Sequence, residues 1–144
     1  MDWDEKYLNL AEHISSWSKD PSTKIGAVAI GKHGQILSTG YNGFPRKIDD
    51  LEDRLNNREL KYKYTIHAEM NCIYNASLTG ISLEGSTLYV TGLPICSSCA
   101  LGVIQAGIKR VVMRYSSDIA EKWFNSGEQS VKMFMEAGVE ILYK

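Results

Sequence analysis

Long apolar runs are missing from this 144-residue chain: none approaches the ~20 residues that a membrane-spanning helix requires, so no membrane role is expected. Cysteine is scarce too. Three residues, an odd number, give no disulfide framework and fit a reducing cytoplasm. Neither sign of charge dominates, since the formal net charge is −1 and the pI about 6.3. A protein that grips a nucleic-acid polymer usually carries a basic excess or stripe, so no polymer partner is expected. The basic residues instead form small groups, Arg46–Lys47, Arg58 to Lys63, Lys109–Arg110 and Arg114, which read as solvated surface compatible with small phosphorylated ligands. The acidic start, Met1 to Glu5, lacks the basic-then-apolar layout of a secretion signal. No repeat, low-complexity segment or linker divides the chain. With 44% hydrophobic and 23% charged residues, it is expected to fold as one domain, 1–144, with a real core.

The patterning predicts alternating elements. Trp3, Tyr7, Leu10, Ala11, Ile14 and Trp17 recur at helical spacing over residues 2–18, and Asp20-Pro21 ends that helix. Ile25–Ile30, a Gly31-Lys32-His33-Gly34 turn and Gln35–Tyr41 read as a hairpin. The polar stretch 46–64 is long for a connection in a small domain, a length often tied to function, and has room for a short helix. Helix is expected over His67–Thr79 and Cys96–Gln105, and over 118–137 with a break near Ser126-Gly127. Strands are expected at Leu88–Val90, Arg110–Met113 and Val139–Tyr143. The order α-β-β-α-β-α-β-α-β predicts a three-layer α/β/α fold with a five-stranded mixed sheet.

Two short segments carry the chemistry. His67-Ala68-Glu69 and Cys96-Ser97-Ser98-Cys99 together supply one imidazole and two thiolates, three ligands of the kind zinc accepts, leaving a fourth position for water. Each segment opens a predicted helix, whose unpaired amides and partial positive charge favour a thiolate. Zinc in such a site lowers the pKa of water from 15.7 toward ~7. Glu69, two residues from His67, can face that water without binding metal and carry protons. His-x-Glu followed by Pro and Cys-x-x-Cys is the signature of zinc-dependent base deaminases. A bare Cys-x-x-Cys also suits a redox pair or half of a structural zinc site, but neither has a use for Glu69. Cys72 lies in an apolar run and reads as a buried free thiol. His13 and His33 read as a helix-face and a turn residue.

With these residues in view, the chain resembles the deoxycytidylate (dCMP) deaminases of the cytidine deaminase-like superfamily. The likeness rests on Asp20 to Ala27, on Gly40-Tyr41-Asn42-Gly43, on the two zinc segments and on Ile104 to Ile108. It implies hydrolytic deamination of dCMP to dUMP, with one Zn²⁺ on His67, Cys96 and Cys99 and Glu69 as proton carrier. It further implies that Asn42 contacts the sugar, that the Ala68 amide meets the pyrimidine carbonyl, that Lys24 meets the 5′-phosphate and that Tyr115 walls the pocket. Regulation by dCTP (activator) and dTTP (inhibitor) in a homo-oligomer, a hexamer, is implied as well, with Mg²⁺ accompanying the triphosphate. Gly43, Phe44, Arg46, Glu59 and Lys61 are the residues expected at that regulatory site. The family places Pro directly before the first Cys, whereas Ile95 intervenes here between Pro94 and Cys96. Two other functions fit parts of the pattern: a deaminase of tRNA adenosine or exposed cytosine, and a non-enzymatic zinc-stabilised interaction domain.

Overall fold

Alternating side chains give the sheet two apolar faces, and helices cover both. The computed structural model describes all residues from 1 to 144. Helix α1 (Trp3–Ser15) opens on Asp2, whose carboxylate accepts the Glu5 amide at 2.8 Å. Strands β1 (Gly26–Ile30) and β2 (Ile36–Tyr41) form the expected antiparallel hairpin. Two short helices follow, α2 (Glu52–Asn56) and α3 (Arg58–Tyr64), and then α4 (Ala68–Thr79). The rest alternates: β3 (Thr87–Thr91), α5 (Ser97–Gln105), β4 (Arg110–Arg114), α6 (Glu121–Ala137) and β5 (Glu140–Tyr143). The strand order is β2-β1-β3-β4-β5. β1 pairs antiparallel with both neighbours, while β3, β4 and β5 run parallel. The predicted three-layer fold with a five-stranded mixed sheet is therefore the observed one.

Leu8, Ala11 and Ile14 of α1 pack on Val28, Tyr89 and Val112, the central residues of β1, β3 and β4. On the other face Ala27, Ala29, Leu88, Val90, Val111 and Met113 meet Ala68, Cys72 and Ala76 of α4, Cys99, Ala100 and Val103 of α5, and Phe134 of α6. Three expectations are corrected. Trp3 and Trp17 do not join the core and are 63% and 54% exposed, because the buried stripe runs through Leu8 and leaves them at and beyond the helix ends. The 46–64 stretch holds two helices rather than one. α6 runs unbroken through Ser126-Gly127: Gly127 is buried, and a Cβ there would lie 3.0 Å from Pro94, so its smallness serves a close contact.

The site lies at one edge of the sheet. In register, Gly26 at the start of β1 sits beside Tyr41 at the end of β2 and Thr91 at the end of β3. The loops leaving these strands, and the segment entering β1, therefore converge. Gly40 lets α4 approach this edge, since a Cβ there would fall 2.3 Å from the Cys72 amide nitrogen and 2.5 Å from the Ala68 carbonyl oxygen. That contact fixes the height of the α4 N-terminus, and with it His67 and Glu69.

Candidate metal centre and catalytic cleft

His67 caps the N-terminus of α4 and Cys96 that of α5, each in extended backbone. Their placement brings His67 Nδ1 to 3.4 Å from Cys96 Sγ and 3.3 Å from Cys99 Sγ. All three donor atoms lie within 4.8 Å of one another. A tetrahedral zinc, with Zn–S about 2.3 Å and Zn–N about 2.0 Å, spaces such N and S donors about 3.5 Å apart. The donor set and its spacing thus fit zinc. Cys72 is excluded from the cluster: it is fully buried under β2, and desolvation pushes its thiol up to about 12.

The charges at the cluster also call for a cation. The Cys96 thiol is pushed down to about 4, chiefly by the hydrogen bond from the Cys99 thiol and also by His67, with burial opposing. Cys99 moves up, as donor to Cys96 and as a buried group. A cation bound between the two sulfurs would favour both as thiolates. Glu69, in the first turn of α4, is 3% exposed, and its Oε1 has no hydrogen-bond partner. Burial pushes its carboxyl up to about 7, with the His67 imidazole pulling the other way. A buried carboxylate oxygen without a partner is rare and costly, and here it borders the three donors.

Sequence reasoning missed what holds the Cys96 loop. Ser126 of α6 accepts the Ser97 amide through Oγ at 2.9 Å, and Ser130 donates to the Ile95 carbonyl at 2.7 Å. Both neighbours of Cys96 are thus anchored by one helix. Ile95 itself is 1% exposed and packs in the core. Ile95 is absorbed as core, and Cys96 and Cys99 still meet His67. The only signal in sequence was the pair of serines and Gly127 on the inner face of α6.

The cluster opens into a cavity of about 310 Å³. Its walls include His67, Glu69 and Cys96, then Ile25, Asn42, Leu93 and Pro94, and further Asp20, Arg58, Lys61, Tyr62, Lys122 and Trp123. Asn42 is buried; its Oδ1 accepts the Ile25 amide at 2.9 Å and its Nδ2 donates to the Thr23 carbonyl at 2.9 Å. One amide hydrogen and one lone pair remain for a ligand. Ala68 is buried at the first position of α4, where backbone amides have no intrahelical acceptor. Two expected contacts fall elsewhere. The Lys24 ammonium donates to the Ser18 carbonyl and does not line the cavity. Tyr115 stacks edge-on against Phe124 and Tyr143 in a separate depression.

The residues expected at a regulatory site also separate. Gly43, Phe44 and Arg46 line a depression of about 200 Å³ with Tyr74 and Asn75, and Arg46 donates to Asn75 at 2.5 Å. Glu59 is exposed beside Lys63. Lys61 instead lines the main cavity, buried in an ion pair with Asp20 at 3.1 Å and donating to Ser22 at 3.2 Å.

Residues 1–115 match the family described as the cytidine and deoxycytidylate deaminase zinc-binding region. An uncharacterized deaminase in the luxG 3′ region of Aliivibrio fischeri is 42% identical over 142 residues, which span 98% of this chain and 92% of that protein. Human deoxycytidylate deaminase is 33% identical over 146 residues, with 96% of this chain and 78% of that protein covered. Among solved structures, the dCMP deaminase of cyanophage S-TIM5 in complex with dCMP and dUMP aligns with a TM-score of 0.77 at 28% identity, covering 97% of this chain and 95% of that one. The chain belongs to the zinc-binding cytidine and deoxycytidylate deaminases.

Proposed function

We propose that this protein deaminates dCMP to dUMP and ammonia by zinc-dependent hydrolysis. The observation that carries the reading is the buried, unpartnered Glu69 oxygen beside the His67, Cys96 and Cys99 donors, at one end of a cavity of nucleotide size. The relatives named as deoxycytidylate deaminases, and the phage enzyme with dCMP and dUMP, support the choice of substrate.

His67, Cys96 and Cys99 would hold the zinc, which when bound would lower the pKa of water toward neutrality. Glu69 accepts the proton released from water and delivers it to the ring nitrogen next to the reacting carbon. As the water oxygen bonds to that carbon, Glu69 carries the second proton of the same water to the exocyclic amine, so the C–N bond breaks while C=O forms and the leaving group is ammonia, not amide ion. Such proton transfer contributes typically ~10²–10⁴-fold. The Ala68 amide orients the pyrimidine carbonyl, and the spare polar positions of Asn42 face the sugar. Ammonia release from dCMP, dCTP, deoxycytidine, cytosine and a tRNA stem-loop, compared side by side, tests the reading. dCMP is the preferred substrate; preference for the stem-loop, or no release from any, overturns it.

Regulation belongs to the same proposal. The depression at Gly43, Phe44 and Arg46 takes dCTP as activator or dTTP as inhibitor, each with Mg²⁺, in a cytoplasmic homo-hexamer. Gly43 and Ile66 exchange backbone hydrogen bonds of 3.1 and 2.8 Å, and Ile66 precedes His67, which supports coupling between depression and metal centre. Leu78 and Leu101, 71% and 60% exposed on α4 and α5, support self-association. Rates against dCMP concentration are sigmoidal, sharpened by dTTP and hyperbolic with dCTP. Hyperbolic rates indifferent to dCTP, in a confirmed oligomer, exclude this regulation.

A further inference from the structure

The cavity wall away from the metal donors carries a charge imbalance that the deamination chemistry does not use. Tyr62 of α3 is ringed by three cations that all line the cavity: Arg58 at 5.9 Å and Lys61 at 5.9 Å from its own helix, and Lys122 at 5.4 Å from α6. Lys122 Nζ also donates to the Tyr62 hydroxyl at 3.4 Å. Lys61 is neutralised by Asp20, the one carboxylate of the wall at this pole. Arg58 and Lys122 have no carboxylate partner. Three cations against one carboxylate leave two positive charges, matching the charge of about −1.5 to −2 on a phosphate monoester at pH 7.

The backbone at this pole points the same way. Ala120, which also lines the cavity, is the N-cap of the 17-residue α6 and makes no side-chain cap. Alanine is a poor N-cap, so the Glu121 and Lys122 amides and the positive end of the α6 dipole remain available to an anion, while the Trp123 amide donates to the Ala120 carbonyl at 2.9 Å. Lys24, expected at the phosphate, is held by the Ser18 carbonyl outside this wall.

We infer that Arg58 and Lys122 form the subsite that reads the 5′-phosphate of the substrate, so that one phosphate ties α3 to α6 across the cavity. The inference rests on the nucleotide reading above and deepens it: preference for nucleotide over nucleoside is set by these two cations. Asp20 and Lys61 hold α3 in place beneath them, since Asp20 Oδ1 also accepts the Ser22 and Thr23 amides at 2.8 and 3.1 Å.

The test compares Arg58→Ala, Lys122→Ala and Lys24→Met with the zinc-loaded wild type. Calorimetric affinities for dUMP and deoxyuridine give a readout free of turnover; kcat/KM for dCMP and deoxycytidine gives a second. Each pole variant lowers the nucleotide-to-nucleoside ratio about 10- to 100-fold, as expected for a lost charge-assisted hydrogen bond. Lys122→Arg retains most of the ratio. A ratio unchanged in both alanine variants, or one that falls only in Lys24→Met, overturns the assignment. A wild type that releases no ammonia from dCMP yet prefers dUMP to deoxyuridine, with that preference lost in both alanine variants, upholds the subsite while the deamination reading falls.

Discussion

Gly40→Ala is a one-carbon change that tests how the sheet sets the catalytic geometry. The added Cβ would lie 2.3 Å from the Cys72 amide nitrogen, 2.5 Å from the Ala68 carbonyl oxygen and 2.9 Å from the Asn71 carbonyl carbon, all backbone atoms of α4. Contact at ordinary van der Waals distance, about 3.5 Å, requires α4 to move off β2 by about 1 Å. Overpacking of this kind costs about 1–3 kcal/mol, or roughly 4–10 °C in Tm for a domain of this size. Because His67 caps α4 and Glu69 lies in its first turn, the same shift carries both away from the thiols of α5. A displacement of about 1 Å in a catalytic group costs on the order of 10²-fold in rate. Thermal unfolding, zinc content and ammonia release from dCMP, measured together, give the outcome: lower Tm, weaker zinc retention and a loss in kcat of about 10²-fold. Gly80→Ala is the contrast. It meets no atom within 4 Å, although its φ of 75° adds about 1–2 kcal/mol of strain at the far end of the same helix. It lowers Tm and leaves kcat intact. Wild-type Tm, zinc content and kcat in Gly40→Ala would refute the claim that this contact positions the site.

Three further outcomes are expected. Ser126→Ala removes the acceptor of the Ser97 amide beside Cys96 and weakens zinc binding by about 10-fold in a chelator competition, the scale of outer-shell effects; unchanged affinity contradicts the anchoring role. Cys72→Ala keeps zinc at one per chain by metal analysis while lowering stability by about 1 kcal/mol, since the thiol is only core; loss of zinc in this variant overturns the ligand set. The Arg110 guanidinium, aided by the Tyr89 hydroxyl, holds the Asp4 carboxyl at about 2, below its ordinary 3.8. A depressed carboxyl adds stability above its unfolded pKa and loses it as pH falls through the folded one. Denaturant titrations between pH 5 and 2 should therefore show about 1 kcal/mol of stability lost, after solvent screening, that Asp4→Asn no longer shows. An identical pH dependence in both proteins rules this pair out as the cause.

The zinc donors and Glu69 were legible in the sequence because metal chemistry restricts residue type and local spacing at once. The hairpin and the βαβ alternation were legible through apolar period and glycine stops. Other features depend on contacts that no local pattern encodes. The polar 46–64 stretch hides α2 and α3, and the latter is tied down by Lys61 reaching Asp20, 41 residues away. Trp3 and Trp17 matched a helical stripe in spacing, but Leu8 and the sheet beneath set its phase. Antiparallel pairing of β1 with β3 unites the ends of three strands at the site, a juxtaposition made by crossover connections. The cations around Tyr62 show the same limit: Arg58 and Lys61 belong to one basic cluster of the sequence, while Lys122 lies 60 residues from Tyr62 and meets it only in the fold. Ser126, within the Ser126-Gly127 pair that reads as a helix break, anchors the Cys96 loop together with Ser130.

The most direct test of the central claim is a paired measurement of zinc content and ammonia release from dCMP in wild type and Glu69→Gln. The proposed chemistry predicts about one zinc per chain in both proteins, the same fold, and a kcat at least ~10²-fold lower in the variant. Near-wild-type kcat in a zinc-loaded Glu69→Gln contradicts it.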